Sequence, residues 1–257
     1  MSDAVKKKQP VVIGVTGHRN IVEEDRPLLK KSVAGALNEI LDLVKKARDD
    51  KDDDVPVVML NGLAQGADML CADVALDMGV PVYAVLPCEL TRYKKSFDEE
   101  QRKKLPDYLN RAKKMIITPD IEDRFGWFEN AMNMDKESYE YRQLGIYIAK
   151  SSHILIALWD GKPPKSQYGC GTVEVIDFAI KNNYFGESCK KACRERVAAW
   201  VKARRQGDGS VADVKLKYLS ALPDDFAGEQ NGGDYSKTFC VSERLPQFMT
   251  ESIKKFR

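Results

Sequence analysis

Residues 57–76 read VVMLNGLAQGADMLCADVAL, an apolar run followed by a glycine turn and a second, longer apolar stretch. The run from Val57 to Leu60 predicts a strand covered on both faces, and residues 67–78 predict a helix. Glycines in such a turn let a ligand approach the backbone, and the first turn of the helix offers unpaired N–H groups. The stretch therefore predicts a strand, a turn and a helix with an anion site at the helix N-terminus.

The same alternation continues on both sides of this stretch. Further strands are predicted at residues 11–15, 80–86, 115–117, 154–158 and 211–219, and a long helix at residues 25–48. Strands that alternate with helices form parallel sheets, and ligands bind at the carboxyl ends of their strands. The predicted fold class is α/β: a Rossmann-like, doubly wound, mostly parallel sheet of about six strands, with helices on both faces and a C-terminal helical and loop extension.

The pattern weakens after residue 180. Apolar residues at Cys193, Val197, Trp200 and Val201 fall at helical spacing, which predicts an inserted helix within residues 183–210. One domain is therefore expected over residues 1–222. Residues 223–257 are expected to form an extension that could lead into a longer protein.

Composition narrows the class of protein. The 257 residues include 41 basic and 39 acidic side chains, and this near-balance argues against a nucleic-acid partner. No run of eighteen apolar residues occurs, so no membrane segment is expected, and the first residues do not resemble a secretory signal. The six cysteines form no Cys-x-x-Cys pair, which predicts reduced thiols, a cytoplasmic location and no metal site.

Two more glycine-bearing turns are expected at the same edge of the sheet. The first follows the strand at residues 11–15 and contains Gly17, His18 and Arg19, and the second is the segment YGCGTVE at residues 168–174. Neither has the G-x-G-x-x-G spacing of NAD dehydrogenases. Three strand exits that converge on helix N-termini predict a ligand that carries phosphate.

Four segments together resemble the SLOG superfamily, the Rossmann-like domains of the Smf/DprA and Lonely Guy proteins. They are VTGHR at residues 15–19, LNGLAQGAD at 60–68, ALWDG at 157–161 and GCGTVE at 169–174. The resemblance spans residues 10–182 and implies a nucleotide or nucleotide-sugar ligand at the carboxyl edge of the sheet. It also implies a homo-oligomer, with the helix at residues 25–48 as one candidate surface.

The branch of the superfamily decides between sensing and catalysis. Lonely Guy enzymes, which hydrolyse the N-glycosidic bond of nucleoside 5'-monophosphates, carry Pro-Gly-Gly-x-Gly-Thr-x-x-Glu. In this chain the proline is absent and Glu174 comes one residue early, which turns a helical side chain by about 100°. The resemblance is closest to the sensor branch. It implies a domain that senses a nucleotide-derived molecule, such as ADP-ribose or a cyclic nucleotide, in signalling or defence, with no cofactor; a nucleotide hydrolase that uses Glu174 is the alternative.

Each candidate residue also has a structural interpretation. Gly171 and Thr172 could bind phosphate or cap the helix that follows, and Glu174 could cap that helix, bind ribose or catalyse. Asp68 could hold ribose hydroxyls or balance a helix dipole. Arg19 favours phosphate, whereas His18 either braces its loop or donates to the ligand.

The remaining candidates are turn residues and side chains at other strand ends. Trp159 could stack on a base or pack as part of a lid, Asp160 lies at the same strand exit, and Arg142 could reach the site from a helix or remain solvated. The full set of predicted ligand-binding residues is Gly17, His18, Arg19, Gly62, Leu63, Ala64, Gly66, Asp68, Arg142, Trp159, Asp160, Gly169, Gly171, Thr172 and Glu174.

Overall fold

The structure is a computed structural model that describes residues 9–47, 56–119, 135–163, 171–181, 196–220, 236, 239–246, 248–249 and 253. Its strands are β1 (Val11–Gly17), β2 (Val57–Asn61), β3 (Val82–Leu86), β4 (Lys114–Ile117), β5 (Ile154–Trp159), β6 (Val197–Lys202), β7 (Leu216–Ser220) and β8 (Cys240–Ser242). Its helices are α1 (Arg26–Lys46), α2 (Ala67–Asp77), α3 (Leu90–Tyr93), α4 (Glu99–Arg111), α5 (Lys136–Ser151) and α6 (Thr172–Lys181).

The strands form a single sheet in the order β4-β3-β2-β1-β5-β6-β7-β8. Neighbouring strands from β4 to β6 are parallel, whereas β7 and β8 are each antiparallel to the preceding strand. The chain builds outward from β1 to β4, then returns to place β5 on the other side of β1. This reversal is the topological switch point of a doubly wound sheet.

Helices cover both faces of the sheet. On one face, α1 and α2 bury side chains such as Leu37 and Leu70 against Ile13 of β1. On the other face, Ile148 of α5 and Ile176 of α6 pack on the opposite side chains of the strands. The predicted fold class is therefore confirmed, with eight strands rather than about six.

Helix α1 directs its apolar face into this core. Its buried residues are Leu29, Val33, Ala36, Leu37, Ile40 and Val44, which recur at helical spacing. The face that suggested α1 as an association surface is thus covered by the sheet of the same chain. A homo-oligomer stays a prediction.

The predicted inserted helix is wrong where the structure describes residues 183–210. Residues 197–202 form β6, whose Val197, Ala199 and Val201 pack on one face of the sheet while Ala198 and Trp200 pack on the other. A strand buried on both faces is a continuous apolar run, and such a run also satisfies helical spacing. The helical interpretation failed because this run forms a strand only through its hydrogen bonds with β5, and the local sequence does not show that pairing.

The described parts of the C-terminal extension are built into the same core. Strand β8 pairs with β7, and Phe239, Met249 and Ile253 are buried. The rest of residues 223–257 lies outside the described part of the chain. No helix among the described residues has the length and apolar character needed to cross a membrane.

Candidate ligand-binding site

A cavity of about 460 Å³ opens at the carboxyl ends of β1 and β5, at the switch point of the sheet. Its walls come from the turns after β1, β2, β5 and β6 and from helices α5 and α6. The lining residues are Val15, Thr16, Gly17, His18, Arg19, Asn20, Ala64, Asp68, Tyr141, Leu144, Gly145, Ile148, Trp159, Gly171, Thr172, Val173, Val175 and Arg205. Three of the predicted strand exits therefore meet at one site.

The turn after β1 is pressed against the N-terminus of α2. A Cβ atom on Gly17 would lie 2.4 Å from Cβ of Ala67, so only glycine fits there. The backbone N–H of Ala67 donates to the carbonyl of His18 at 3.0 Å. The first and second exits are thus one rigid unit, and the α2 N-terminus lies directly beside the cavity.

Arg19 is held inside a network of side chains. Its Nη2 donates to the hydroxyl of Tyr141 at 2.8 Å, its Nη1 donates to the carbonyl of Ser96 at 3.2 Å, and the guanidinium lies 5.0 Å from the ring centre of Tyr141. Arg19 lines the cavity as the sequence predicts. Its donors are largely engaged by the protein, so it ties the turn after β1 to α5.

The turn after β2 is organised by Asn61. Its carboxamide oxygen accepts from the N–H of Leu63 at 2.7 Å, and its nitrogen donates to the carbonyl of Asp68 at 2.8 Å. Leu63 is fully buried with a φ of 55°, and Gly66 has a φ of 85°. Such positive φ values bend the backbone so that Ala64 and Asp68 face the cavity. Gly62 and Leu63 support the turn from outside the lining.

Asp68 is a carboxyl group on the wall of the cavity with little access to water. It is 8% exposed, and burial raises its pKa to about 7, although the N–H of Ala64 and the charge of Arg19 act in the opposite direction. Its Oδ2 accepts from Ala64 at 3.3 Å and lies under Gly62, where a Cβ atom would approach it to 2.8 Å. Its Oδ1 has no hydrogen-bond partner within the described residues.

On the far side of β1, a polar cluster joins the exits of β1, β5 and β6. Nε of Arg205 lies 2.8 Å from Oδ2 of Asp160, and Nε2 of His18 lies 3.2 Å from Oδ1. Burial raises the pKa of Asp160, but the hydrogen bond with His18, the N–H of Lys162 and the charge of Arg205 outweigh it and bring the pKa to about 2. Asp160 is thus an ionised brace, and His18 both braces the turn and contacts Thr172 through Nδ1 at 3.3 Å.

The N-terminus of α6 presents Gly171 and Thr172 to the cavity. A Cβ atom on Gly171 would meet no atom of the described residues within 4 Å, so the space above this backbone is open toward the described part of the chain. Glu174 reaches back, and its Oε2 accepts from the N–H of Gly171 at 2.7 Å while Oε1 lies 3.7 Å from Arg142. This geometry is that of a helix cap. Glu174 and Arg142 are not among the described residues that line the cavity.

Trp159 contributes to the cavity wall, but its side chain has no exposed surface on which a base could stack. It is fully buried, its Nε1 donates to the carbonyl of Lys162 at 3.0 Å, and its ring packs against Trp200 and Phe239. The stacking interpretation is therefore wrong because the strand alternation turns this side chain into the core under α6. Gly169 lies outside the described residues.

Arg205 is the main residue that the sequence did not assign to the site. It falls within residues 183–210, where the sequence predicts an inserted helix, whereas in the structure it follows β6 and bridges to Ile21 in the turn after β1. Arg204 beside it forms a two-pronged ion pair with Asp25, with both N–O distances 2.8 Å. A strand assignment for residues 197–202 would have placed Arg205 at the functional edge of the sheet. Asn20 and Tyr141 were also missed as lining residues.

The fold and the cavity together define a Rossmann-like α/β protein with an open cavity at the switch point of its sheet. Within the described residues, no group of His, Cys, Asp and Glu side chains could hold a metal ion. The polar and charged side chains that line the cavity are those of Thr16, His18, Arg19, Asn20, Asp68, Tyr141, Thr172 and Arg205.

Comparisons with known proteins find structural neighbours only. No family model and no curated protein matches the chain. The chain is similar to DNA processing protein A (DprA) of Streptococcus pneumoniae, with 17% identity and a TM-score of 0.41 over 66% of this chain and 47% of that chain. It is also similar to DprA of Helicobacter pylori, with 12% identity and a TM-score of 0.34 over 59% of this chain and 54% of that chain.

These matches span about half of each DprA protein and concern the fold. The structure of the Helicobacter pylori protein is described by its single-stranded DNA binding mode. The expectation that nucleic acid is excluded as a partner is therefore wrong. A net charge is summed over the whole surface, whereas nucleic acid needs only a local basic groove.

Proposed function

We propose that this protein binds a nucleotide-derived small molecule in the cavity at the switch point and acts as a sensor of that molecule. The observation that carries the proposal is the meeting of the β1 exit, the α2 N-terminus and the α6 N-terminus around one open space. A helix N-terminus that faces a cavity favours a phosphate or another anion, and the N-terminus of α6 is the candidate here because the backbone at Gly171 is open to the cavity.

The walls of the cavity support a ligand with an apolar, flat part. Leu144 and Ile148 of α5 face Val173 and Val175 of α6, and no charged group separates them along this wall of the described cavity. The polar lining also includes Thr172 at the start of α6 and Arg205 after β6. A nucleotide has this division between a base and a phosphate.

Thermal unfolding with a panel of ligands tests the proposal. The panel contains AMP, ADP-ribose, cyclic ADP-ribose, NAD, a cyclic dinucleotide and a single-stranded oligodeoxynucleotide. A nucleotide at a hundredfold excess over its dissociation constant should raise the free energy of unfolding by about 2.7 kcal/mol. If only the oligodeoxynucleotide binds, the site serves nucleic acid and the small-molecule proposal fails; if nothing binds, it fails as well.

Gly171→Val locates the binding site. The open space above Gly171 would receive the valine side chain, which should abolish binding and leave the fold intact. Gly209→Val is the matched control, because that glycine also has open space around it but lies outside the cavity lining. Equal effects of the two substitutions would contradict the proposed site.

Chromatography of the incubated nucleotide separates a sensor from a hydrolase. The cap formed by Glu174 supports the sensor, since this carboxylate is occupied by Gly171 and faces Arg142. A sensor returns AMP unchanged, and Glu174→Ala changes affinity alone. A free-base peak that disappears in Glu174→Ala would assign the protein to the N-glycosidic hydrolases.

A further inference from the structure

Asp68 is a largely buried carboxyl group whose side chain accepts one hydrogen bond from the described residues. The residue is 8% exposed and lines the cavity. Oδ2 accepts one hydrogen bond from Ala64, whereas Oδ1 has no partner among the described residues. A carboxylate offers about four acceptor positions, and buried ones are normally satisfied. Oδ1 keeps access to the cavity that Asp68 lines, so it is available to accept a hydrogen bond from a ligand.

The sheet order separates Asp68 from the groups that favour phosphate. Asp68 follows β2, on one side of β1, whereas Thr172 and Arg205 follow β5 and β6, on the other side. Two strand spacings separate β2 from β5, which amounts to about 10 Å. A phosphate beside the Asp68 carboxylate would be repelled, so the phosphate belongs at the far end and an uncharged donor belongs at Asp68.

We infer that Asp68 selects ribonucleotides by accepting hydrogen bonds from the 2'- and 3'-hydroxyls of a ribose, while the phosphate lies at the N-terminus of α6. The inference rests on the proposed nucleotide site and specifies the ligand class: a nucleotide with a free vicinal diol. Carboxylates that accept from ribose hydroxyls are a general device for recognising ribose.

The protonation state of Asp68 gives a second test of its proposed contact with the ribose hydroxyls. Burial raises the pKa of Asp68 to about 7, and the charged or titratable groups that interact with it are Arg19 beside β1, Tyr93 on α3 and Cys71 on α2. Hydroxyl donors favour the charged carboxylate, so binding of a ribonucleotide should lower the pKa of Asp68 and release a proton. Affinity should therefore rise with pH between about 6 and 8, the range around that pKa.

Calorimetry with AMP, 2'-deoxy-AMP, ADP-ribose and 3',5'-linked cyclic di-AMP tests the inference on the wild-type chain. The ribonucleotide should bind about tenfold or more tightly than its 2'-deoxy form, as expected for hydrogen bonds to a charged group. Equal affinity for the two forms would overturn the inference and leave the proposed function standing. Binding of cyclic di-AMP alone would have the same consequence, because its 3'-hydroxyls are esterified. If none of the four binds, both proposals fall.

Asp68→Asn is the matched variant, since asparagine keeps the shape and removes the charge. The preference for ribose should fall to within about threefold in Asp68→Asn. Titration of the AMP phosphate changes the affinity of both proteins with pH to the same extent. The further rise in affinity that Asp68 causes between about pH 6 and 8 should be absent in Asp68→Asn. A preference or pH slope that survives in Asp68→Asn would assign ribose recognition to another residue.

Discussion

At the scale of single residues, the site contains two carboxyl groups with opposite electrostatic surroundings. Asp160 is buried beside His18 and Arg205, which hold it ionised. Asp68 is buried with one backbone N–H and a more distant arginine, and its pKa is about 7. The first carboxylate therefore braces the site, and the second should titrate near neutral pH.

Because of Asp68, the free energy of unfolding should fall as the pH rises. Its pKa is about 7 in the folded state against an ordinary value of 3.8, so between these two values the native state holds a proton that the unfolded chain has lost. Raising the pH through this window should cost up to about 4 kcal/mol, with no further loss from this group at higher pH. Asp68→Asn should remove that slope in denaturant unfolding measured across the window.

Asp42→Asn, on the exposed side of α1, is the control for this measurement. It should change the free energy of unfolding by less than about 0.5 kcal/mol at every pH. A slope in Asp68→Asn as steep as in the wild type would mean that another buried group titrates.

At the scale of elements, the β2–α2 turn fixes the site through backbone conformation. Gly66 has a φ of 85°, and a Cβ atom there would lie 2.1 Å from the carbonyl oxygen of Arg19. The contact is between two backbone segments, so neither side-chain motion nor a rotamer change can relieve it. This turn is what holds the first strand exit against the helix N-terminus.

Gly66→Ala should therefore lower the free energy of unfolding by more than the same substitution at a glycine that has a positive φ but open space around it. Gly79 after α2 has a φ of 73°, and a Cβ atom there would meet no other atom within 4 Å, which makes Gly79→Ala the matched control. We expect about 1–2 kcal/mol for Gly79→Ala and at least about 2 kcal/mol more for Gly66→Ala. Equal losses in urea unfolding would show that the turn relaxes away from Arg19.

At the scale of the whole molecule, the C-terminal residues complete the core around Trp159. Phe239 is 3% exposed, its ring centre lies 6.4 Å from that of Trp159, and Nζ of Lys181 lies 4.5 Å from its centre. Strand β8 follows directly and adds the last strand of the sheet. The described C-terminal residues and the sheet should therefore unfold together.

Phe239→Ala tests whether the described C-terminal residues and the sheet unfold together. Loss of the buried ring should lower the free energy of unfolding by about 3–5 kcal/mol. Val241→Ala, on β8 but 41% exposed, should cost less than about 0.5 kcal/mol. Urea unfolding followed by tryptophan fluorescence measures both; a small effect of Phe239→Ala would make the C-terminal part an appendage of the domain.

Self-association is a separate question at this scale. The apolar face of α1 is buried within the chain, so it provides no dimer surface. The expected homo-oligomer can be measured by light scattering at several protein concentrations. A constant monomer mass would contradict it.

The sequence by itself determined the α/β class and most strands, because apolar runs and helical spacing report burial locally. It also located the three turns of the site, since Gly17, Gly66 and Gly171 follow strands whose carboxyl ends must share one edge.

Only the tertiary structure decided what depends on partners distant in the chain. Residues 197–202 are a strand because β5 and β7 flank them, and that pairing alone brings Arg205 to the cavity. Trp159 is buried because helix α6 covers its side of the sheet, and Asp68 is protonated near neutral pH because distant turns exclude water from it. Sequence periodicity shows which residues prefer to be buried. The packing of the whole sheet decides which neighbours bury each residue, and therefore also the protonation state of a buried carboxyl group such as Asp68.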